Sequence, residues 1–482
     1  MINFRIIARV FSLILILEGF FMLISAAVSL LYKEAAASSL LYSALITLVT
    51  GSIVFTPLRN EEKMYGNREG YIIMTGIWLI LSLFGTLPFL ISGSVSSFSD
   101  AFFESMSGFT TTGATILTDL ESIPRGILFW RSLTQWLGGI GIIFISLSIL
   151  PVVRTINVHI PVTDFSGQTT DKIHPRIKEA AKRLITIYAI LTFTEVILLL
   201  LGGVPAFDAV CHSFSTLSTG GFSTHNDGIS VISSPYIKVV LTLFMFIAGT
   251  NLTIYYYVFK RNFKKLIENN ELIFYFFTCL FFIIVMTSIL YSTQGNSFGK
   301  TLLNGSFQVV SVITTTGFYT ENYILWGNLP VIILFFLMFT GGTSGSASGS
   351  IKIVRLLIVT KNYRQELKRM IHPDAFLPVR LDHKIVPHNT VYNLLLFIAI
   401  YFLIFCASSF LVSFMGYDII TSFSTSASML GNIGPGLGSF GPFTNYSEIP
   451  VAGKWLFSIL MLLGRLELIT VIILFTRNFY RS

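Results

Sequence analysis

Four short runs of small polar residues carry the chemistry this sequence offers: Thr111-Thr112-Gly113-Ala114, Ser218-Thr219-Gly220-Gly221, Thr315-Thr316-Gly317-Phe318 and Asn432-Ile433-Gly434-Pro435. A monovalent cation stripped of water needs replacement oxygens. Main-chain carbonyls supply them where the chain is extended and its C=O groups turn inward, and glycine permits the backbone angles this requires. Setting Gly113, Gly220, Gly317 and Gly434 in register spaces the runs by roughly 100 residues, a period that signals internal duplication. One Thr-Thr-Gly is a weak match; four copies in matching context are a specific one. The expected cation-binding set is Thr111, Thr112 and Gly113, then Ser218, Thr219 and Gly220, then Thr315, Thr316 and Gly317, then Asn432, Ile433 and Gly434.

Each run must be positioned by what precedes it. The segments 94–125, 204–235, 294–327 and 416–448 each open with a half-apolar stretch too short to span a bilayer, such as 98–109 and 207–217. A half-length helix followed by a glycine-rich loop is the pattern of a re-entrant segment. Such backbone is tolerated at membrane depth only when buried in protein or lining a water-filled cavity. The negative C-terminal ends of these half-helices favour a cation at the loops.

The chain has 482 residues, of which 53% are hydrophobic and 12% charged, and its mean hydropathy is +0.74. Soluble domains carry about 25% charged residues, so an ordinary soluble enzyme and a disordered chain are both excluded. The three cysteines, Cys211, Cys279 and Cys406, are far apart and form no disulfide framework or zinc motif. Apolar spans are expected near 6–31, 38–58, 71–93, 182–203, 236–259, 271–293, 390–415 and 449–476. Two glycine-rich spans, near 126–150 and 328–360, look interrupted, making ten. Placing the N-terminus in the cytoplasm puts 25 of the 32 Lys and Arg residues in inner segments, and the positive-inside rule fixes that orientation. The expected fold is an all-α integral membrane protein of ten transmembrane helices: an N-terminal pair over 1–60, then four pseudo-symmetric helix–pore-helix–loop–helix repeats around one central pore, over 70–151, 180–260, 270–362 and 389–478. The +8 net charge follows from topology, and nucleic acid is not an expected partner; membrane lipid is.

Gly341-Gly342-Thr343-Ser344-Gly345-Ser346-Ala347-Ser348-Gly349-Ser350 interrupts the span 328–360. Such a run cannot sustain a helix and must lie inside the bundle, where its place after the third loop suggests a flexible plug. Arg465, in mid-span, costs at least about 2.5 kcal/mol and normally faces a cavity; Glu467, two positions on, does not share its helical face. Gly138, Gly139 and Gly141 read as helix-packing positions. Asp100, Glu104, Asp119, Glu121, Asp208, Asp227 and Glu321 fall in the outer segments; together they could concentrate cations, although each alone reads as ordinary loop charge. Glu18 and Glu195 sit within spans, as proton-coupling groups or as paired structural ones. No HExxH, nucleophile elbow or nucleotide-binding Gly-x-Gly-x-x-Gly unit is present, so an enzyme is not expected.

The motifs Ser107-Gly108-Phe109-Thr110-Thr111-Thr112-Gly113-Ala114, Ser218-Thr219-Gly220-Gly221-Phe222, Thr314-Thr315-Thr316-Gly317-Phe318 and Gly431-Asn432-Ile433-Gly434-Pro435-Gly436 resemble those of the TrkH/KtrB/HKT superfamily of potassium transporters, the TrkH branch nearest, over essentially the whole chain. The resemblance implies potassium uptake across a bacterial inner membrane, with both termini cytoplasmic, potassium as the transported ion and no covalently bound cofactor. Some sodium-preferring members carry serine at the first of the four glycines, so glycine at all four implies potassium. It also implies gating by Gly341, Gly342, Thr343, Ser344, Gly345, Ser346 and Gly349, with Arg465 facing the pore beneath the loops. Finally it implies a homodimer and a cytosolic TrkA-like nucleotide-binding ring docked on the basic segments 151–183 and 352–388. A proton- or sodium-coupled cation symporter is the alternative.

Overall fold

The computed structural model describes residues 2–59, 66–155, 173–295, 297–382 and 384–480. Two apolar helices, α1 (Phe4–Leu31) and α2 (Ala36–Phe55), open the chain. They approach closely at Gly51, where a Cβ would lie 2.9 Å from Ile16; small residues let membrane helices pack this way. The first loop unit comprises α3 (Asn67–Phe84), α4 (Leu87–Ile91), the half-helix α5 (Phe98–Phe109) and α6 (Arg125–Thr155). The second comprises α7 (Ile173–Leu201), α8 (Ala206–Leu217), α9 (Pro235–Ala248) and α10 (Leu252–Phe259). A short α11 (Lys264–Ile267) leads to the third: α12 (Asn270–Gln294), α13 (Phe298–Ile313), α14 (Asn328–Leu337) and α15 (Ile353–Ile371). A two-residue hairpin, β1 (Arg380–Leu381) with β2 (Lys384–Ile385), precedes the fourth. That unit holds α16 (His388–Phe414), α17 (Ile419–Gly431), α18 (Val451–Arg465), α19 (Ile469–Ile472) and α20 (Arg477–Tyr480).

Among the described residues six helices are long and apolar enough to cross a bilayer, and two further pairs pass that test as bent spans. The breaks are not all where glycine content placed them. The segment 126–150, expected to be interrupted, lies within one unbroken helix, α6. Conversely 236–259 and 449–476, read as continuous, are bent by 101° and 109°. At the first bend Asn251 caps the new helix by accepting from the Thr253 amide at 2.9 Å. At the second, Glu467 and Leu468 both take positive φ, 59° and 52°, a conformation rare in side chains of this size. The break in 328–360 is present, from Met338 to Lys352.

Burial runs inside out, as lipid demands. On α7 and α12 the large apolar side chains Phe193, Phe277 and Phe281 are exposed. The half-helices are enclosed: every residue from Ala101 to Phe109 on α5 is buried, Ser105 and Ser107 included. Their backbone ends are thereby shielded from lipid, the condition for a loop at membrane depth. Glu18 and Glu195 are buried and have no ion-pair partner among the described residues.

Candidate functional site

The four loops share one backbone course. Each half-helix is followed by a non-glycine residue in the left-handed region: Thr111 at φ 53°, Thr219 at 55°, Thr315 at 57° and Asn432 at 53°. Two residues later comes a glycine at positive φ: Gly113 at 85°, Gly221 at 76°, Gly317 at 78° and Gly434 at 102°. The residue between them donates its amide back to a serine carbonyl in the half-helix, Thr112 to Ser107 at 2.9 Å, Gly220 to Ser215 at 2.8 Å, Thr316 to Ser311 at 2.8 Å and Ile433 to Ser428 at 2.9 Å. The second loop is therefore displaced by one residue from the composition-based register. Gly221 stands where Gly113 stands, and Gly220 matches Thr112. Ser218 is the helix C-cap, equivalent to Thr110 and Thr314. The Gly220-Gly221 doublet offered two alignments, and the backbone takes the later one.

The loops close on one another. A Cβ on Gly113 would lie 2.1 Å from the Gly220 carbonyl oxygen; on Gly221, 1.9 Å from that of Thr316; on Gly317, 1.9 Å from that of Ile433; and on Gly434, 2.6 Å from that of Thr112. The cycle runs first loop to second to third to fourth and back to first. No side chain fits at any of the four positions, which is the reason all are glycine. The same four glycines line a single cavity of about 140 Å³. Among the described residues no hydrogen bond reaches the carbonyls of Thr111, Thr112, Gly113, Thr315, Thr316 or Gly317, and the buried Thr111 hydroxyl has no partner. Buried carbonyls are nearly always paired. This set of unpaired oxygens, on loops that each leave a helix C-terminus, is chemically suited to a dehydrated cation.

Side chains within and beside the runs hold the cycle. Gln135 on α6 donates from Nε2 to the Gly220 carbonyl at 2.7 Å, and its Oε1 accepts the Phe222 amide at 3.1 Å. Asn432 donates to the Thr112 hydroxyl at 2.9 Å, joining the fourth loop to the first. Tyr446 donates to the Gly434 carbonyl at 2.8 Å and Tyr323 to the Gly436 carbonyl at 3.0 Å. Gln135 is not among the expected site residues; its one signal in the sequence is an amide side chain in an apolar span near Gly138 and Gly139. Those two glycines pack as expected, Gly138 against the Phe109 carbonyl and Gly139 against Ser218.

The small-residue run lies against the loops. The Gly349 amide donates to the Thr315 hydroxyl, and a Cβ on Gly349 would lie 2.2 Å from the Gly431 carbonyl oxygen. Gly341 donates to the Ile351 carbonyl at 2.8 Å, Thr343 to the Gly249 carbonyl at 2.9 Å, and Ser344 to Glu271 at 2.5 Å. Gly342 accepts from the Ile353 amide at 3.0 Å, Gly345 packs on Asn251, and the Ser346 hydroxyl donates to the Thr343 carbonyl at 2.6 Å. The bend between α9 and α10 frees the Gly249 carbonyl for Thr343. The Lys352 ammonium folds back into the run, donating to the carbonyls of Ser346, at 3.3 Å, and Ser348. Arg465 is 2% exposed. It donates to the Ala347 carbonyl at 2.5 Å and the Gly138 carbonyl at 2.9 Å, bridging the run to α6. Glu467 is not its partner; it pairs with Arg355.

The acids expected in outer segments do not line the cavity: none of the seven is among its lining residues. Asp100 pairs with Lys454 at 2.6 Å and Glu104 with Arg131 at 2.6 Å. Glu121 accepts the Asn226 amide at 3.0 Å, and Asp208 the Thr224 hydroxyl at 2.7 Å. They brace loops. His225 does line the cavity, with Asp208 3.6 Å from its Nε2 and Glu121 3.8 Å from its Nδ1. The neighbouring Asp208 carboxylate raises its pKa above the ordinary value, against the opposing effect of partial burial.

Comparison with known proteins is consistent along the full length. The family model described as TrkH, cation transport protein, matches residues 42–480. The Trk system potassium uptake protein TrkH of Salmonella typhimurium is 36% identical over 484 residues, with 100% of both chains covered. The Trk system potassium uptake protein TrkG of Escherichia coli is 31% identical, covering 99% of each. The crystal structure of the potassium transporter TrkH from Vibrio parahaemolyticus superposes with a TM-score of 0.92 at 34% identity, over 100% of both chains.

Proposed function

Because the chain belongs to the TrkH family of cation transport proteins, a family of transporters and not of enzymes, we propose that it carries potassium into a bacterial cell through the four-loop cycle. The observation that carries this reading is the ring of glycine-to-carbonyl approaches, Gly113 to Gly220, Gly221 to Thr316, Gly317 to Ile433 and Gly434 to Thr112. A potassium ion entering the cavity meets main-chain oxygens, of which those of the first and third loops have no other hydrogen-bond partner among the described residues, so its lost hydration is replaced at little cost. The C-termini of α5, α8, α13 and α17 add negative potential at the same place. In this reading the set that holds the ion is Thr111, Thr112, Gly113, Thr219, Gly220, Gly221, Thr315, Thr316, Gly317, Asn432, Ile433 and Gly434.

Below the ring, the run from Gly341 to Ser350 is the gate and Arg465 its electrostatic lock. A fixed cation on the ion's route opposes passage until the run and the arginine move together. The chain works as one multi-pass subunit of the inner membrane with both termini in the cytoplasm. It forms a homodimer and is controlled by a cytosolic TrkA-like nucleotide-binding ring. The relatives' description as parts of a Trk system supports such a multi-component arrangement. The ring docks on α15 and the neighbouring basic segments; of the expected 151–183 surface, residues 156–172 lie outside those described. Potassium-against-sodium flux in liposomes, with Gly113→Ser alongside, tests the reading. Selective potassium flux in the parent, weakened toward sodium in the variant, supports it; equal flux of both ions in the parent overturns it.

A further inference from the structure

Resting on that reading of the loops, we propose that Glu104 and Arg131 are paired positioning residues that set the discrimination of potassium over sodium. Arg131 lines the cavity, but neither residue hydrogen-bonds to the ion-facing oxygens; they act on the strands that leave the first two loops. Glu104 lies in α5, fully buried. Its Oε1 accepts from Arg131 Nε at 2.6 Å and from the Thr115 hydroxyl at 3.0 Å. Its Oε2 accepts the Ile116 amide at 2.9 Å and the Thr115 hydroxyl at 3.1 Å. Arg131, 2% exposed on α6, directs Nη1 to the Ser223 carbonyl at 2.8 Å. Its guanidinium lies 3.5 Å above the Phe222 ring.

The geometry is directional. Apart from the ion pair itself, the Thr115 hydroxyl and the Phe222 ring, the polar contacts of both residues end on main chain, at Ile116 just beyond Gly113 and at Ser223 just beyond Gly221. The tie extends further. The Thr115 carbonyl accepts the Tyr446 amide at 2.8 Å, and the Tyr446 hydroxyl donates to Gly434. One turn along α6 from Arg131, Gln135 holds Gly220 and Phe222. One buried charge pair thus reaches three of the four loops. A buried ion pair contributes little net stability compared with apolar residues of the same volume, so stability alone does not explain this one. What it supplies is fixed separation between loops. Sodium is the smaller ion and needs its oxygens closer together. A ring held at the potassium spacing cannot contract around it, whereas a ring with loosened strands can.

The test uses the full chain in proteoliposomes, with potassium uptake, its KM and its inhibition by sodium as readouts. Glu104→Gln keeps an acceptor for Arg131 but sets an amide N–H against the Ile116 N–H. Arg131→Lys keeps the charge but lacks the fork that reaches Glu104 and Ser223 together. In each variant the potassium-to-sodium flux ratio is expected to fall about tenfold, with maximal potassium flux within about twofold of the parent. A merely structural role lowers flux and thermal stability while leaving the ratio where it was. Folded variants with the parental ratio overturn the inference. Should both fail to insert, Thr115→Val, which removes one hydroxyl from the cluster, is expected to lower the ratio about threefold, and an unchanged ratio there also overturns it. Gly113→Ser in the same membranes separates the two levels. If it shifts the ratio and Glu104→Gln does not, only the positioning role fails; if it too changes nothing, the reading of the loops fails.

Discussion

The amide of Gly349 donates to the hydroxyl of Thr315 across 2.7 Å, fastening the small-residue run to the third loop. If the run gates the proposed ion path, its withdrawal must break this bond and the close seat of Gly349 on the Gly431 carbonyl. Thr315→Val leaves a buried N–H without an acceptor, a cost of about 1–3 kcal/mol on the docked position. Higher basal potassium flux in liposomes is expected from Thr315→Val, and parental flux from Thr315→Ser. A valine variant as tight as the parent shows that the bond plays no part in closure.

The register of the second loop can be checked by alanine. At Gly221 a methyl group meets a main-chain oxygen at 1.9 Å, on a backbone at φ 76°. At Gly220 the nearest atoms belong to the Gln135 side chain, 2.4 Å away, which can swing. Gly221→Ala is expected to abolish potassium uptake, and Gly220→Ala to reduce it. Growth at limiting potassium reads both; the reverse ranking restores the composition-based alignment.

Arg465→Gln removes a fixed charge from beside the proposed ion path while keeping a hydrogen-bond donor for Ala347 or Gly138. A nearby charge contributes on the order of 1–2 kcal/mol to the barrier, so basal flux is expected to rise about tenfold. Stopped-flow flux without any cytosolic partner measures it. Unchanged flux together with unchanged regulation removes the arginine from the gate.

External pH is expected to act through His225. Because its pKa is raised by Asp208, the attraction between imidazolium and carboxylate is fully present below the ordinary histidine pKa of about 6.5. It fades as pH climbs through the raised value. Potassium KM, measured against external pH, is expected to change over that alkaline-going window in the parent and to stay flat in His225→Gln. A parallel profile in both chains assigns the dependence elsewhere.

On α15 the cations Arg364, Lys368 and Arg369 lie within about three turns of helix beyond its buried start, Arg364 and Lys368 exposed and Arg369 half-buried in a pair with Glu366. Changing all three to glutamine is expected to abolish co-purification with a cytosolic nucleotide-binding ring while leaving basal flux intact. Retained binding at physiological salt moves the docking surface to another segment.

The sequence made the half-helices legible because their apolar stretches are short and end in polar small residues; α5 and α8 lie within a residue of where patterning put them. It was silent on the bends. The span 236–259 is apolar on both sides of Gly249-Thr250-Asn251, and only tertiary contact, the Gly249 carbonyl meeting Thr343, makes the break worthwhile. Glycine content misled at 126–150, where Gly138 and Gly139 serve close packing and leave the helix intact. The acids were misread for a related reason. Glu104 and Asp100 occur in outer segments, and nothing local reveals that Arg131 and Lys454, 27 and 354 residues away, neutralise them.

The carbonyl cycle closes within a single polypeptide, and its quadrants are unequal: threonine, glycine, threonine and isoleucine occupy the equivalent oxygen-bearing position. A tetramer of identical subunits must change all four sides at once, whereas this chain can alter one side and keep three. In a paired assembly each copy owns a complete conduit. In the proposed homodimer a crippled copy expressed beside an intact one is expected to halve throughput without poisoning its neighbour.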